Sequence, residues 1–218
     1  MNAPLPRPIT LHASGPGGDL ERRLRGAVRG ELLFDRASRG RYSTDASIYQ
    51  VEPVGVLVPA SHEDVRAAFD VCRELRIPML PRGAGSSQCG QTVGRALVVD
   101  HSKRLAGVVA FDREARTVTV EPGLVLDALN AWLKPHGLWF PVDVSTSAQA
   151  TIGGMAGNNS CGSRSIFYGN MVHNVVAADA LLADGTEVWL GPDARMSGAP
   201  PRLRALMDGL RGIAIVGL

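Results

Sequence analysis

The chain has 218 residues, 45% hydrophobic and 20% charged, with a formal net charge of +2. That composition suits one substantial core or two small ones, and it is too mildly basic for a nucleic-acid face, which needs clustered Lys and Arg. No apolar run approaches the roughly 20 residues that cross a bilayer, and the N-terminus lacks a secretory plan. The three cysteines, Cys72, Cys89 and Cys161, are widely spaced without a C-x-x-C pair, which is the pattern of reduced thiols in a cytoplasmic protein.

Residues 1–18 hold Pro4, Pro6, Pro8 and Pro16 and read as a flexible leader. Asp19 is placed to cap a helix with the apolar stripe Leu20, Leu24, Val28 and Leu32, ending before Gly40, so that 19–50 form a helix and its lead-in. A second helix is marked by Ser61 and Asp64 ahead of Val65, Ala68, Phe69 and Cys72. It stands between the apolar runs 54–58 and 77–80, the order of a small parallel βαβ unit. After the short apolar run 96–99, runs 107–111 and 117–120 flank a charged turn and predict a hairpin. A third helix follows, with Val125, Ala128, Leu129 and Trp132 on one face and Gly137 as its C-cap. Asp184-Gly185 between runs 175–183 and 186–190 predicts a second hairpin. A last helix starts near Pro201, carries Leu203, Leu206, Met207 and Leu210, and leads into the apolar run 213–216. The whole is α+β in style, with a first subdomain over 51–121 and a second over 122–218, rather than a doubly wound sheet.

Two segments rich in small residues carry the chemistry. The first, Pro81-Arg82-Gly83-Ala84-Gly85-Ser86-Ser87-Gln88-Cys89-Gly90-Gln91, is entered directly from an apolar run. Glycines here let backbone N–H groups converge on an anion, which points to a phosphorylated ligand. Gln88 stands where the third glycine of G-x-G-x-x-G belongs, no Gly-Lys-Ser/Thr follows, and residues 84–95 lack helical periodicity, so neither the dinucleotide fingerprint nor the P-loop fits. The second segment is Pro141-Val142-Asp143 followed by Thr151-Ile152-Gly153-Gly154-Met155-Ala156-Gly157-Asn158-Asn159-Ser160-Cys161-Gly162. So many small residues do not build a core, yet they suit a backbone lying against a flat or phosphorylated ligand. One such loop is as readily a surface loop; two of them in so short a chain favour a cofactor cradle.

These two segments, with Tyr168-Gly169 and the run 175–185, resemble the FAD-binding (PCMH-type) domain of the vanillyl-alcohol oxidase / p-cresol methylhydroxylase superfamily. Tyr42-Ser43-Thr44-Asp45-Ala46-Ser47-Ile48-Tyr49 and Asn158-Asn159-Ser160-Cys161-Gly162-Ser163 resemble in particular the glycolate-oxidase-like D-2-hydroxy-acid (D-lactate, D-2-hydroxyglutarate) dehydrogenases, above all those fused to an iron–sulfur region. The likeness runs from about residue 40 to 191. It implies a PCMH-type domain of two α+β subdomains over 51–218, ending before the substrate (cap) domain, so that the chain is expected to be a fragment.

The resemblance further implies that Arg82, Gly83, Ala84, Gly85, Ser86 and Ser87 wrap the FAD pyrophosphate, with Gly90 and Gln91 completing the turn. Pro141, Asp143, Thr151, Gly153, Gly154, Ala156, Asn158, Ser160 and Gly162 would follow the ribityl chain and isoalloxazine, and Val175 would border the cofactor from a later strand. Ser86 and Ser87 stand where a flavin-linking His would sit, so FAD is expected to be non-covalent, with Cys89 and Cys161 unreactive. The implied reaction is hydride transfer from a D-2-hydroxy acid to flavin N5, with an electron acceptor or iron–sulfur region outside this chain. Arg164 is the nearest cation to the flavin N1 region, and equally a solvated surface arginine. His12, His62, His101, His136 and His173 have no metal-ligand spacing and read as structural. Two alternatives remain open: a flavin-binding module without activity, and a site for a different nucleotide.

Overall fold

The computed structural model describes residues 18–191. The leader and the helix expected from Pro201, with the run 213–216, lie outside them, save that Gly18 opens the first helix.

Helix α1 (Gly18–Ala27) buries Leu20 and Leu24, two of the four stripe positions. The helix stops there, and Leu32 lies instead in strand β1 (Glu31–Leu33). The physical cause is Gly30, where the chain lies so close to Val58 O and the Pro59 Cα that a Cβ has no room. Past that contact Glu31, Leu32 and Leu33 pair antiparallel with Val58, Leu57 and Val56 of β2 (Gly55–Val58). Asp35 then caps α2 (Arg36–Arg41), accepting from the Ser38 N–H at 2.9 Å, and Gly40 lies inside this helix.

Ser61 caps α3 (His62–Leu75) as the sequence predicts. Asp64, 4% exposed, accepts N–H bonds from Arg29 and Ala60, both at 2.8 Å, and so ties the start of α3 to the preceding turn. The helix crosses to β3 (Met79–Arg82), parallel to β2 but not beside it. The run 96–99 supplies β4 (Leu97–Asp100), which inserts between them in the order β1-β2-β4-β3. All four β4 residues are buried, as a central parallel strand covered on its faces requires. Leu57, Leu97 and Val99 meet Leu20, Leu24, Ala68, Val71 and Cys72 in the main core. Burial there pushes the Cys72 thiol up to about 12, so it stays protonated at neutral pH.

The predicted first hairpin is β5 (Val108–Asp112) with β6 (Thr117–Val120), bulged between Val108 and Ala110. Helix α4 (Leu126–Leu133) buries Leu126, Leu129 and Leu133 rather than the face containing Ala128 and Trp132. Leu129 and Leu133 pack on Val108, Phe111, Val118 and Val120 of the hairpin, while Trp132 stays at the rim with its ring 5.1 Å from Phe111. Gly137, at φ +72°, closes the 3-10 turn Lys134–His136 that extends α4.

The second small-residue segment contains a short helix, α5 (Ile152–Gly157), and two single turns follow it, α6 (Ser165–Tyr168) and α7 (Met171–Asn174). Contrary to the expectation that such a segment builds no core, its Val142 and Met155 are buried together with Leu126 and with Met171 of α7. The second hairpin, β7 (Ala178–Leu181) with β8 (Glu187–Leu190), is shorter than its sequence run. Its tip lies against α3, where Arg73 donates to the Asp184 carbonyl at 3.4 Å and Arg66 pairs with Glu187. One mixed sheet and two hairpins, rather than one doubly wound sheet, is the α+β architecture expected.

Candidate functional site

The phosphate-suited loop leaves the carboxyl end of β3, where ligands of open parallel sheets gather, and no helix follows it. Facing it is the segment 149–153, which runs beside 122–126. Leu126 N–H donates to Ala150 O, Ile152 to Leu124 O and Gly153 to Pro122 O, at 2.8–3.0 Å. These bonds fix the start of α5, whose N-cap Thr151 accepts from the Gly154 N–H at 3.3 Å. The two segments touch where Gly83 meets Thr151. A Cβ on Gly83 would overlap the Thr151 hydroxyl and lie 3.2 Å from its Cβ. Glycine is required here for close approach, not for backbone angle.

Between them lies an open cleft lined by Gly83, Ala84, Gly85, Ser86 and Ser87 on one side and Thr151, Gly154, Asn158 and Ser160 on the other. The two halves predicted from sequence are thus brought together. Gln91 donates to Asn158 Oδ1 at 3.2 Å and is also bonded to Ser87, clipping the far end of the loop to α5. Thr92, Val144, Thr146, Ala150 and Met155 complete the lining; the last four fall within the span 141–162 expected to follow the cofactor, though not singled out there, and Thr92 lies outside both segments. The hydroxyl-rich stretch Thr146-Ser147 just ahead of the glycine run was the available signal.

Other candidates lie behind or beside the cleft. The Arg82 guanidinium spans the carbonyls of Thr92 and Thr44, at 3.1 and 2.9 Å. Gly90, at φ +76°, lies over the Tyr49 ring. Gly153 is turned onto Pro122, and Gly162 is packed against Asp143. Asp143 accepts from the Arg164 N–H at 3.1 Å and the Ser163 hydroxyl at 2.9 Å, and the Arg164 N–H foremost holds its carboxyl below the usual range. Arg164 itself lies 5.4 Å over the Trp139 ring. Ala156 is exposed on α5, Pro141 borders a separate hollow with Phe111, Val118 and Phe140, and Val175 caps α7, outside the cleft lining.

The donor set fits a diphosphate. Among the described residues, the backbone N–H groups of Ala84, Gly85, Ser86 and Ser87 donate to no protein atom, while hydroxyls of Ser86, Ser87, Thr146 and Ser160 line the same space. Unsatisfied backbone donors on consecutive residues form a concavity for an anion. No group of three or more His, Cys, Asp or Glu among the described residues could hold a metal ion, and no helix there is long and apolar enough to cross a membrane. Cys89 and Cys161 are exposed and unpaired.

The described histidines have structural surroundings. His62 lies 3.7 Å from Glu121, His136 stacks on Phe111 and Trp132, and His173 Nδ1 accepts from the Asn170 N–H at 3.0 Å. His101 follows β4 with a buried Nδ1 that has no hydrogen-bond partner. Burial first, then His62, lowers its pKa against the opposing pull of Asp100. A histidine kept neutral by the fold protonates first in the unfolded chain, so stability falls as pH drops below about 6.5, the unfolded value. Urea midpoints measured between pH 8 and pH 5 are expected to show this slope, and His101→Leu to flatten it.

Comparison with known proteins identifies relatives and a family. The chain is 38% identical over 159 residues to a D-2-hydroxyglutarate dehydrogenase of Pantoea ananatis, covering 72% of this chain and 16% of that protein. It is 33% identical over 193 residues to the glycolate oxidase subunit GlcD of Bacillus subtilis, covering 85% of this chain and 40% of the relative. The chain therefore spans well under half the length of these relatives. In fold it is similar to alkyldihydroxyacetonephosphate synthase, with a TM-score of 0.71 at 21% identity over 82% of this chain and 36% of that one. Residues 53–191 match the family described as FAD binding domain, and with FAD as its cofactor the chain belongs to that family.

Proposed function

We propose that the chain is the flavin-binding part of a D-2-hydroxy-acid oxidoreductase, holding FAD non-covalently in the cleft between Gly83–Ser87 and Thr151–Ser160. The carrying observation is the meeting of four unbonded backbone donors with hydroxyls from a distant segment. When bound, FAD supplies the acceptor for the hydride leaving the substrate α-carbon. This chain's residues bind and orient. Ala84–Ser87 donate to the diphosphate, Ser160 and Thr146 offer hydroxyls along the cleft, and the Gln91–Asn158 clip sets its width. Relatives named for D-2-hydroxyglutarate and glycolate support the 2-hydroxy-acid substrate class.

The boundaries 51–121 and 122–218, a cytoplasmic location, and an electron acceptor or iron–sulfur region outside this chain belong to the same proposal. Purified protein mixed with FAD is expected to quench flavin fluorescence and carry a yellow band through gel filtration, with acid precipitation releasing free FAD. Flavin that stays with the precipitate would overturn non-covalent binding, and absent quenching would overturn the flavin assignment. A second reading is a flavin-binding module without turnover. Dye reduction by D-lactate, glycolate or D-2-hydroxyglutarate separates the two.

A further inference from the structure

The family match begins at residue 53, yet the loop that lines the cleft is held by residues that precede it. Residues 42–50 form a closed strap. Thr44 and Gln50 make an antiparallel bridge, Val51 N–H donates to Ser43 O at 2.8 Å, and buried Ser43 donates its hydroxyl to Gly40 O at 2.7 Å. Asp45 folds back on this strap by accepting from the Ser47 N–H at 2.9 Å.

Five contacts join the strap to the loop. Ala46 N–H donates to Gly85 O at 3.1 Å, in the middle of the donor run. The Thr92 hydroxyl donates to Asp45 Oδ2 at 2.9 Å. Arg82 reaches from the loop's start to Thr44 O and Thr92 O at once, with its guanidinium 5.4 Å over the Tyr42 ring. Tyr49 lies under Gly90. Tyr42 is anchored in turn, donating its hydroxyl to buried Asp100 at 2.6 Å. Gly85, at φ +68°, has the Arg82 guanidinium where a Cβ would stand. The loop is therefore gripped at both ends and at its centre.

Tying Gly85 O to the strap fixes the Gly85–Ser86 peptide plane, and with it the direction of the free Ser86 N–H in the middle of the donor run. An anion site whose donors are already aimed avoids the ordering cost of binding. We propose that residues 42–50 are part of the flavin site: Arg82, Asp45 and Thr92 are positioning residues that preset the phosphate loop before the cofactor arrives. This rests on the FAD reading of the cleft. Arg82, on this account, acts on the cofactor through the loop's shape and not by its own charge.

The test uses the full chain with Asp45→Ala, Thr92→Val and their combination, and Arg82→Lys beside Arg82→Met. Asp45 and Thr92 are partly exposed, so these variants keep the fold, and thermal melting checks that they do. FAD affinity is read by fluorescence quenching, and hydrogen exchange is read at 83–92 in the protein without FAD. Each single variant is expected to bind FAD about tenfold more weakly, the worth of one hydrogen bond to a charged group. The double variant is expected to be no weaker than either single, and exchange in the loop to rise. Arg82→Lys reaches only one carbonyl and restores part of what Arg82→Met loses. Should Arg82→Met fail to fold, the Asp45 and Thr92 pair decides alone. Undiminished FAD binding by these variants, or additive losses with unchanged loop exchange, overturns the inference while the FAD reading stands. Failure of the unmodified chain to bind FAD overturns both.

Discussion

Gly83→Val is expected to weaken FAD binding about a hundredfold or more, a loss of roughly 3 kcal/mol. The backbone at this position has no need of positive φ, so the effect comes from space alone. A Cβ there would overlap the Thr151 hydroxyl, and Thr151 has nowhere to go. Its side chain is 2% exposed, it caps α5, and its backbone bridges Val125. The loop must therefore move, carrying the donors of Ala84–Ser87 away from the opposing hydroxyls. Pairing the smaller change Gly83→Ala with Thr151→Ala should recover part of the affinity, because the overlapping atoms are gone, at a capping cost of about 0.5–2 kcal/mol in stability. Isothermal titration with FAD, beside a melting curve for each variant, checks both expectations. A Gly83→Val protein that binds normally would show that the two segments do not meet as described.

Leu97→Ala is expected to produce the largest loss of stability, about 2–5 kcal/mol. Leu97 is fully buried in the central strand β4, with Gly55 and Met79 beside it on the neighbouring strands and Leu57, Ala68 and Cys72 in its cluster. Its neighbours are held by a sheet on one side and α1 and α3 on the other, so the cavity cannot collapse. A fall in Tm on the order of 10 °C is expected for a chain of this size. Binding of FAD measured well below that transition should be nearly unchanged, since no cleft residue touches this layer. A variant as stable as the parent would contradict the placement of β4 at the core.

The sequence carried the site more clearly than it carried the packing. Glycine and hydroxyl spacing located both walls of the cleft, because a backbone that must approach a ligand leaves a compositional mark. It said little of Thr92 and Thr146, whose part depends on where distant segments fall. Helix ends with capping chemistry, Ser61 above all, were legible, while the end of α1 was not. Leu32 continues a helical spacing, but the close contact of Gly30 with β2 is a tertiary fact that local pattern does not contain. The same holds for β4, whose apolar run reads as a strand but whose place between β2 and β3 is fixed only by pairing. For α4 the spacing was right and the face was displaced, since Leu133 found the hairpin and Trp132 stayed at the rim. The resemblance sets Arg82 in the turn around the pyrophosphate, and its guanidinium bonds the carbonyls of Thr92 and Thr44.

Thr151 joins three roles in one side chain and one peptide: lid over Gly83, cap of α5, and rung to Val125. Fraying of α5 therefore removes the wall against which the Gly83–Ser87 loop rests. The two sides of the cleft are therefore expected to open together in hydrogen exchange, as one foldon rather than as two independent flaps. A ligand that bridges both sides would then quiet both at once.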